Sequence, residues 1–459
     1  MARRWKLAVG VIAWLWMGGA VRAQTLPPPL PVGVSMQPMV PTVSGPAPWY
    51  PPVSSRVAVP GGQQYGMPAD YDPLGLDSKS VRKNAFTDDP SVNGGSNSNG
   101  NGDGDGGDGH HGYSHSVNLE YLIMWFKSHR HPPLITTGDA NDTVPGALGQ
   151  PGTAILHGDH DGAGASSAFR ITYTWWLEPE FSCIDASFFI MEQRRLIFGA
   201  ASNAQGQPVL SRPFFNPSAG TEDADPRALP FVARASLEDN FYTRLMGAEA
   251  NFKCNMSGEP CTKCPVVTLM FGPRWIRLDE KYNNLDVSQD LPAGSGDTRT
   301  FTDNVTCYNE FIGGQVGASV RARWHQLIMD TSLKIAVGEN FRTLKMNGGT
   351  MVRTDATGAV TQTGEGFFVQ STNSGIDHSE RISIVPEFNF SLGYYITDNF
   401  KFSVGYGVFD MSGVLRPGSQ LDRRIDLQAP GIPTTLPARN NQSTDFWAQW
   451  INFGFEFIY

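Results

Sequence analysis

Cysteine, histidine and aspartate supply most of the chain's reactive groups, and each type is clustered. Cys254, Cys261 and Cys264 surround one predicted short turn, and Cys183 opens the strand before it. In an exported chain such thiols more often form disulfides than act as nucleophiles. A strap from Cys254 to Cys264, or between neighbouring strands from Cys183 to Cys254, is geometrically reasonable; a zinc site built on Cys261-Thr-Lys-Cys264 is the alternative. Cys307 falls at the opposite end and is left over. His110, His111, His115, His129, His131, His157 and His160 crowd a short region with Asp159 and Asp161. They are donors suited to a loop-bound transition metal, although a polar, exposed loop accounts for them equally well. The run Asp103, Asp105 and Asp108 has the oxygen donors of a calcium loop but lacks the downstream bidentate Glu, and reads as a solvated linker. His378-Ser379-Glu380 holds nucleophile, base and acid types together. Adjacent strand residues point to opposite faces, so the trio cannot act as a triad by itself. No Gly-x-Ser-x-Gly is present. The chain is therefore not read as an enzyme, and neither a metal nor a cofactor is expected.

The elements around these groups begin with an export segment. Arg3, Arg4 and Lys6 precede an apolar run from Leu7 to Met17, and Val21 and Ala23 suit a cleavage site after Ala23, so residues 1–23 read as a signal peptide. Residues 24–112 form an arm, first Pro-rich as in Leu26-Pro27-Pro28-Pro29-Leu30-Pro31, then rich in Gly, Asn and Asp. Neither composition can bury enough apolar surface to order itself. The formal net charge of −9 argues against a nucleic-acid partner, which would select a basic footprint. No Walker, Rossmann or zinc-hydrolase motif appears.

From residue 113 to 459 apolar and polar side chains alternate with period two. Ten strands follow, beginning with Val117, Leu119, Tyr121, Ile123 and Trp125 and ending with Ile451, Phe453, Phe455, Phe457 and Tyr459. The connections run roughly 128–166, 178–180, 194–240, 255–264, 280–307, 322–325, 342–379, 397–399 and 412–445, long and short in strict alternation. Outer-membrane barrels place short turns in the periplasm and long loops outside, whereas a β-sandwich has no reason to sort its loops this way. No apolar run after the export segment is long enough for a spanning helix, so a membrane-embedded form must be a closed barrel. The expected fold is all-β: a transmembrane antiparallel up-and-down barrel of about ten strands (eight to twelve), with a disordered periplasmic N-terminal arm. The last strand ends on aromatic Tyr459 and resembles the signal read by the outer-membrane insertion machinery. That machinery and outer-membrane lipid are the expected partners.

If the apolar faces meet lipid, the opposite faces line the lumen. On this register the inward acids are Glu120, Asp185, Glu249, Asp330, Glu387 and Glu456, and the inward bases are Arg170, Lys253, Arg274, Arg321, Lys334 and Lys401. Equal numbers leave no net field. An interior little wider than that of an eight-stranded barrel would be largely filled by side chains and internal ion pairs.

Several segments carry a resemblance. Asn118-Leu-Glu-Tyr-Leu-Ile-Met-Trp125, Pro132-Pro133-Leu134-Ile135-Thr136-Thr137, Leu148-Gly-Gln-Pro-Gly-Thr153, Arg212-Pro-Phe-Phe215, Asn240-Phe-Tyr242 with Gly247-Ala-Glu249, and Phe271-Gly-Pro-Arg-Trp-Ile-Arg-Leu-Asp-Glu280 are similar to the putative beta barrel porin-7 family of planctomycete bacteria. The resemblance spans about 116–459 and implies an outer-membrane barrel, with no catalytic residues to carry over. Two functions are expected: passive diffusion of small solutes, or a non-conducting barrel anchoring loops and a Pro-rich arm to an envelope or cell-wall component. The family favours the first. Lumen neutrality and small size favour the second.

Overall fold

The computed structural model describes residues 115–160, 164–178, 181–256, 265–294, 296–426 and 435–459. The expected export segment and arm lie outside the described residues. The sixteen strands are β1 (His115–Phe126), β2 (Arg130–Thr137), β3 (Ala154–His160), β4 (Ser166–Glu178), β5 (Ser182–Met191), β6 (Arg194–Ala201), β7 (Leu210–Asn216), β8 (Thr221–Ala228), β9 (Ala233–Asn255), β10 (Val266–Asp290), β11 (Asp297–Trp324), β12 (Leu327–Thr354), β13 (Val360–Thr363), β14 (Gly375–Thr397), β15 (Phe400–Leu415) and β16 (Ser443–Ile458), with one short helix, α1 (Pro417–Gln420).

Ten of these close into an antiparallel ring in the order β1, β4, β5, β9, β10, β11, β12, β14, β15, β16. The seam runs from Ser116↔Ile458 to Phe126↔Ala448, so the aromatic C-terminal strand closes the barrel against the first strand. These are the ten strands that the alternation marks. Their outward side chains form the apolar belt, with Phe169, Phe271, Val316 and Ile384 all exposed. At one end, the turn end, tight connections such as Gln326 and Asp398 join the strands.

At the other end, the cap end, the long connections are largely strand. β9 to β12 run 23 to 28 residues, more than twice the roughly ten that a barrel strand needs to cross a bilayer. One side of the barrel therefore continues beyond the belt as a wall, and β6 extends it along β9 from Arg194↔Thr243 to Ala201↔Ser236. The alternation fades there because both faces carry polar residues: inward Glu280, Asn284 and Asp286, outward Asp279, Lys281 and Asn283. Against the inner face of this wall lies a second sheet, β3-β2-β7-β8. Leu134, Ile135, Leu210 and Phe214 of that cap share a buried core with Leu237, Phe241, Tyr282 and Leu344 of the wall.

Candidate functional site

The inward face of the ring, near the turn end, brings all the sequence-derived charges together in ion pairs. Lys334 Nζ lies 2.7 Å from Glu249 Oε1 and 2.9 Å from Glu387 Oε1. Arg274 binds Glu387 and stands 3.9 Å from Glu249, completing a buried cluster of two cations and two carboxylates. Arg321 Nε donates to Asp330 Oδ1 at 2.9 Å, Arg170 lies 3.7 Å from Glu120, and Lys253 and Lys401 bind Asp185 and Glu456. Amides occupy remaining lone pairs: Asn389 donates to Glu387 at 2.7 Å and Asn452 to Glu120 at 2.6 Å. Water reaches this layer from the turn end and fades with depth. The Arg321 side chain is 44% exposed, whereas Arg274 and Glu387 are each 4% exposed. A space of about 90 Å³ remains among Glu120, Arg170, Asp185, Glu249, Lys334 and Glu387, enough for a few waters.

Above the charges, toward the cap, the lumen is dry. Each of the ten ring strands sends at least one apolar side chain inward into a single buried cluster. Leu122 and Met124 enter from β1, Ala168 from β4, Met191 from β5, Leu245 from β9 and Ile276 from β10. Phe311, Ala336, Val385, Phe409 and Trp450 complete the layer from β11, β12, β14, β15 and β16. Phe311, Ala336 and Val385 have no accessible surface, and Trp450 has 1%. The indole of Trp450 fits because its neighbour is glycine: a Cβ on Gly407 would stand 2.3 Å from Trp450 Cζ2. Each inward apolar residue shares the face of a lumen charge on its own strand, such as Ala336 with Lys334 and Val385 with Glu387, so a simple period-two count cannot separate them.

A third layer joins the cap to the wall, and sequence reasoning missed it. Arg212 of β7 is fully buried; it donates to Asp286 Oδ2 at 2.9 Å, to Asp239 Oδ2 at 3.1 Å and to the Leu134 carbonyl at 3.1 Å. Arg227 Nε adds a bond to Asp286 at 3.3 Å. Arg416, just before α1, binds Glu280 through Nε at 2.9 Å and Nη2 at 2.8 Å. Asp303 accepts the backbone amides of Phe368 at 3.2 Å and Val369 at 2.8 Å. Burial pushes the Asp239 carboxyl up, but Arg212, with His157 and Tyr282 donating, outweighs it and holds the group below the usual carboxylate range. Burial, with the nearby Asp286 charge, raises the Asp303 carboxyl despite its amide donors. Arg212 and Glu280 are visible in sequence only as members of Arg212-Pro-Phe-Phe215 and the run ending at Glu280.

The reactive groups that open the sequence stand elsewhere. Cys183 and Cys254 are free thiols, which corrects the expected bridge between them: Cys183 faces Lys253 and Cys254 faces Ser182, so the two sulfurs point to opposite sides of the sheet. Cys261 and Cys264 lie outside the described residues, as do His110, His111 and the Asp103–Asp108 run. Cys307 is buried and free. His129, His131 and His157 are not exposed loop groups but buried at the cap–wall joint around Phe241, where His157 Nδ1 lies 2.7 Å from Asp239. Among the described residues no group of three His, Cys, Asp or Glu side chains is arranged to hold a metal. His378 bonds the Thr343 hydroxyl at 3.0 Å on the face opposite Ser379.

A closed antiparallel ring with an apolar outer belt and its charged side chains on the inner face is an outer-membrane β-barrel. The chain belongs to the Putative beta barrel porin-7 (BBP7) family, which it matches over residues 117–459. No curated protein matches it. Among solved structures it is similar to a deletion mutant of the TodX monoaromatic hydrocarbon channel, with 8% identity, 75% of this chain and 90% of that one covered, and a TM-score of 0.21. The Ralstonia pickettii toluene transporter TbuX gives 8% identity, coverage of 76% and 90%, and a TM-score of 0.18. A Pseudomonas aeruginosa FadL homologue gives 6%, 75% and 89%, and 0.20. At TM-scores this low the likeness supports no argument about this chain.

Proposed function

We propose that this protein is an outer-membrane barrel whose lumen does not conduct in its capped state, and which anchors an extracellular cap and a periplasmic N-terminal arm in the envelope. The apolar layer carries this reading, because every ring strand contributes to it and water does not reach its centre. A permeating ion would shed its hydration there with little beyond the indole N–H of Trp450 to replace it. Below that layer the paired charges present no excess of either sign to draw ions in. In this reading residues 1–23 direct export, the short turns face the periplasm, and loops and arm meet a cell-wall or other envelope component. Family membership favours a second reading, passive diffusion of small solutes once the cap and apolar layer are displaced.

Single-channel recording of the full-length protein in a planar bilayer tests the choice, with heat-modifiable migration as the check on folding. Silence is expected from the wild type. Stable conductance steps from a folded, unperturbed barrel would refute the closed lumen and establish the diffusion reading.

A further inference from the structure

Toward the cap end, β14 parts from β15. Their ladder runs from Thr397↔Phe400 only as far as Glu387↔Phe409, and beyond it β15 pairs with β16 alone. The last paired residue of β14 follows Pro386, which has no N–H to offer a neighbouring strand. β15 also slips register between Met411 and Val414, where Gly413 takes a φ of +72°. Side chains bridge the split: the Ser383 hydroxyl donates to the Ser412 carbonyl at 2.7 Å, and the Ile384 N–H donates to Ser412 Oγ at 2.9 Å.

Two arginines meet beside this split. Arg342 of β12 donates through Nη1 to Ser443 Oγ at 2.5 Å and to the Gly413 carbonyl at 3.2 Å, and Arg381 of β14 donates through its own Nη1 to the same Ser443 oxygen at 3.0 Å. The shared oxygen shows that the two guanidinium groups converge, and its two lone pairs are then both taken. Arg342 is 8% exposed and its Nε is buried without an acceptor, whereas Arg381 is open to solvent. Among the described residues neither arginine makes an ion pair. The charges that act on Arg342 are Arg381 and Asp377, and Asp377 already accepts from Asn441 at 2.7 Å. Of the other acids nearby, Asp445 binds Lys127 at 2.7 Å with Asp410 beside it, while Glu339 and Glu380 point to the opposite face of the sheet. Two cations against one carboxylate leave an excess of positive charge.

We infer that Arg342 and Arg381 form a binding site for a phosphate group at this split. Like charges drawn to one neutral hydroxyl repel each other, and an anion between them removes that cost. A carboxylate fills one guanidinium fork, whereas a phosphate has enough oxygens to accept from both. Gly413 leaves Arg381 room to lie across the bulge, since a Cβ there would stand 3.2 Å from Arg381 Cδ and 3.3 Å from Ser383 Oγ. Ile382 and Ile384, 75% and 50% exposed, flank the site on the outward face. Phosphate reaches it either free or as the headgroup of a lipid whose chains lie on that apolar face, and the two sources share one recognition chemistry. The inference goes beyond the anchoring role and is independent of whether the lumen conducts.

The test titrates the full-length protein, held in a non-ionic detergent and checked for folding by heat-modifiable migration, with two probes in a calorimeter: inorganic phosphate, and phosphatidic acid carried in the detergent micelle. Binding of inorganic phosphate is expected if the phosphate group alone suffices, and binding of phosphatidic acid alone would assign the site to a lipid headgroup. Arg342→Gln/Arg381→Gln should weaken whichever binding is seen by about tenfold or more per arginine removed. Arg353→Gln, at the far end of the wall, should leave it unchanged. Absence of binding by both probes at millimolar concentration would overturn the site, as would a folded double variant that binds as wild type does, or equal weakening in Arg353→Gln. Should the double variant not fold, Arg381→Gln alone, at an exposed side chain, must still weaken binding, and an unchanged affinity there overturns the inference equally.

Discussion

Replacing Arg212 by methionine should release the cap while leaving the ring closed. The guanidinium bridges Asp239 and Asp286, and all three side chains have no accessible surface. After Arg212→Met, Asp239 retains Tyr282 at 2.8 Å and His157 at 2.7 Å, but Asp286 keeps only Arg227 at 3.3 Å among these partners. Breaking a buried ion pair by removing one partner costs about 3–5 kcal/mol. At about 1.4 kcal/mol per decade, the equilibrium for cap detachment should shift by two to three and a half powers of ten. Hydrogen exchange followed by mass spectrometry reads the change directly. Amides of β2 and β7 should exchange faster by that factor while those of β1 and β16 stay protected. Arg212→Met/Asp286→Asn should recover part of the loss, because the carboxylate left with the fewest partners is then neutral. Equal exchange in wild type and Arg212→Met would refute the assignment of the cap's attachment to this pair. Simultaneous loss of protection in β1 and β16 would refute the separation of cap from ring.

Three further outcomes are expected. Phe311→Ala/Trp450→Ala should admit water through the apolar layer and give conductance steps in the planar bilayer, with each truncation costing about 3–5 kcal/mol of stability; a silent, folded double variant would show that the barrier lies elsewhere. Lys334→Met leaves Glu249 and Glu387 sharing Arg274 alone, and should lower the temperature at which the heat-modifiable band is lost, with recovery in Lys334→Met/Glu249→Gln; no change in that temperature would make the cluster energetically idle. The cap should also respond to acid in a defined window. Asp239 is held below its unfolded value near 3.9, so its contribution is complete above that value and is lost as pH falls through its lower folded value. Exchange in β2 should therefore be independent of this group from neutrality down to about pH 4, and loosening of β2 well above that pH would refute the assignment of the acid response to Asp239.

The ring was legible because a lipid-facing strand can hide its pattern from neither side. Phe169, Ile171, Tyr173 and Trp175 must be apolar where they meet lipid, while Arg170 and Thr172 between them need not be. The wall and cap were not legible, and the reason is physical. Beyond the bilayer both faces of β10 meet water or polar partners, so Glu280, Tyr282, Asn284 and Asp286 read as loop although they form the inner face of a strand. Buried arginine and aspartate defeat any rule that sends charge to the surface, and Arg212 with Asp286 is such a case. The cysteine bridge failed on register. Cys183 and Cys254 lie on adjacent strands at the same end, but a one-residue offset puts their side chains on opposite faces.

The same parity explains why the inward charges do not amount to a selectivity filter. A filter requires charge of one sign to face water with part of its coordination open. Here Glu387 is held by Arg274, Lys334 and Asn389, and Glu456 by Lys401 and Ser116, so an incoming ion would have to displace a fixed partner before gaining a contact. Beyond that layer lies an apolar one in which the unpartnered indole N–H of Trp450 is the polar side-chain group among the described residues. In the closed-lumen reading proposed above, the two layers oppose permeation for different reasons, and the apolar one is the barrier that Phe311→Ala/Trp450→Ala removes. Loosening the cap through Arg212 therefore need not produce conductance by itself, whereas its combination with Phe311→Ala/Trp450→Ala should give larger steps than the layer variant alone if the cap also obstructs the outer mouth. Equal steps with and without Arg212→Met would confine the barrier to the apolar layer and leave the cap a surface role only.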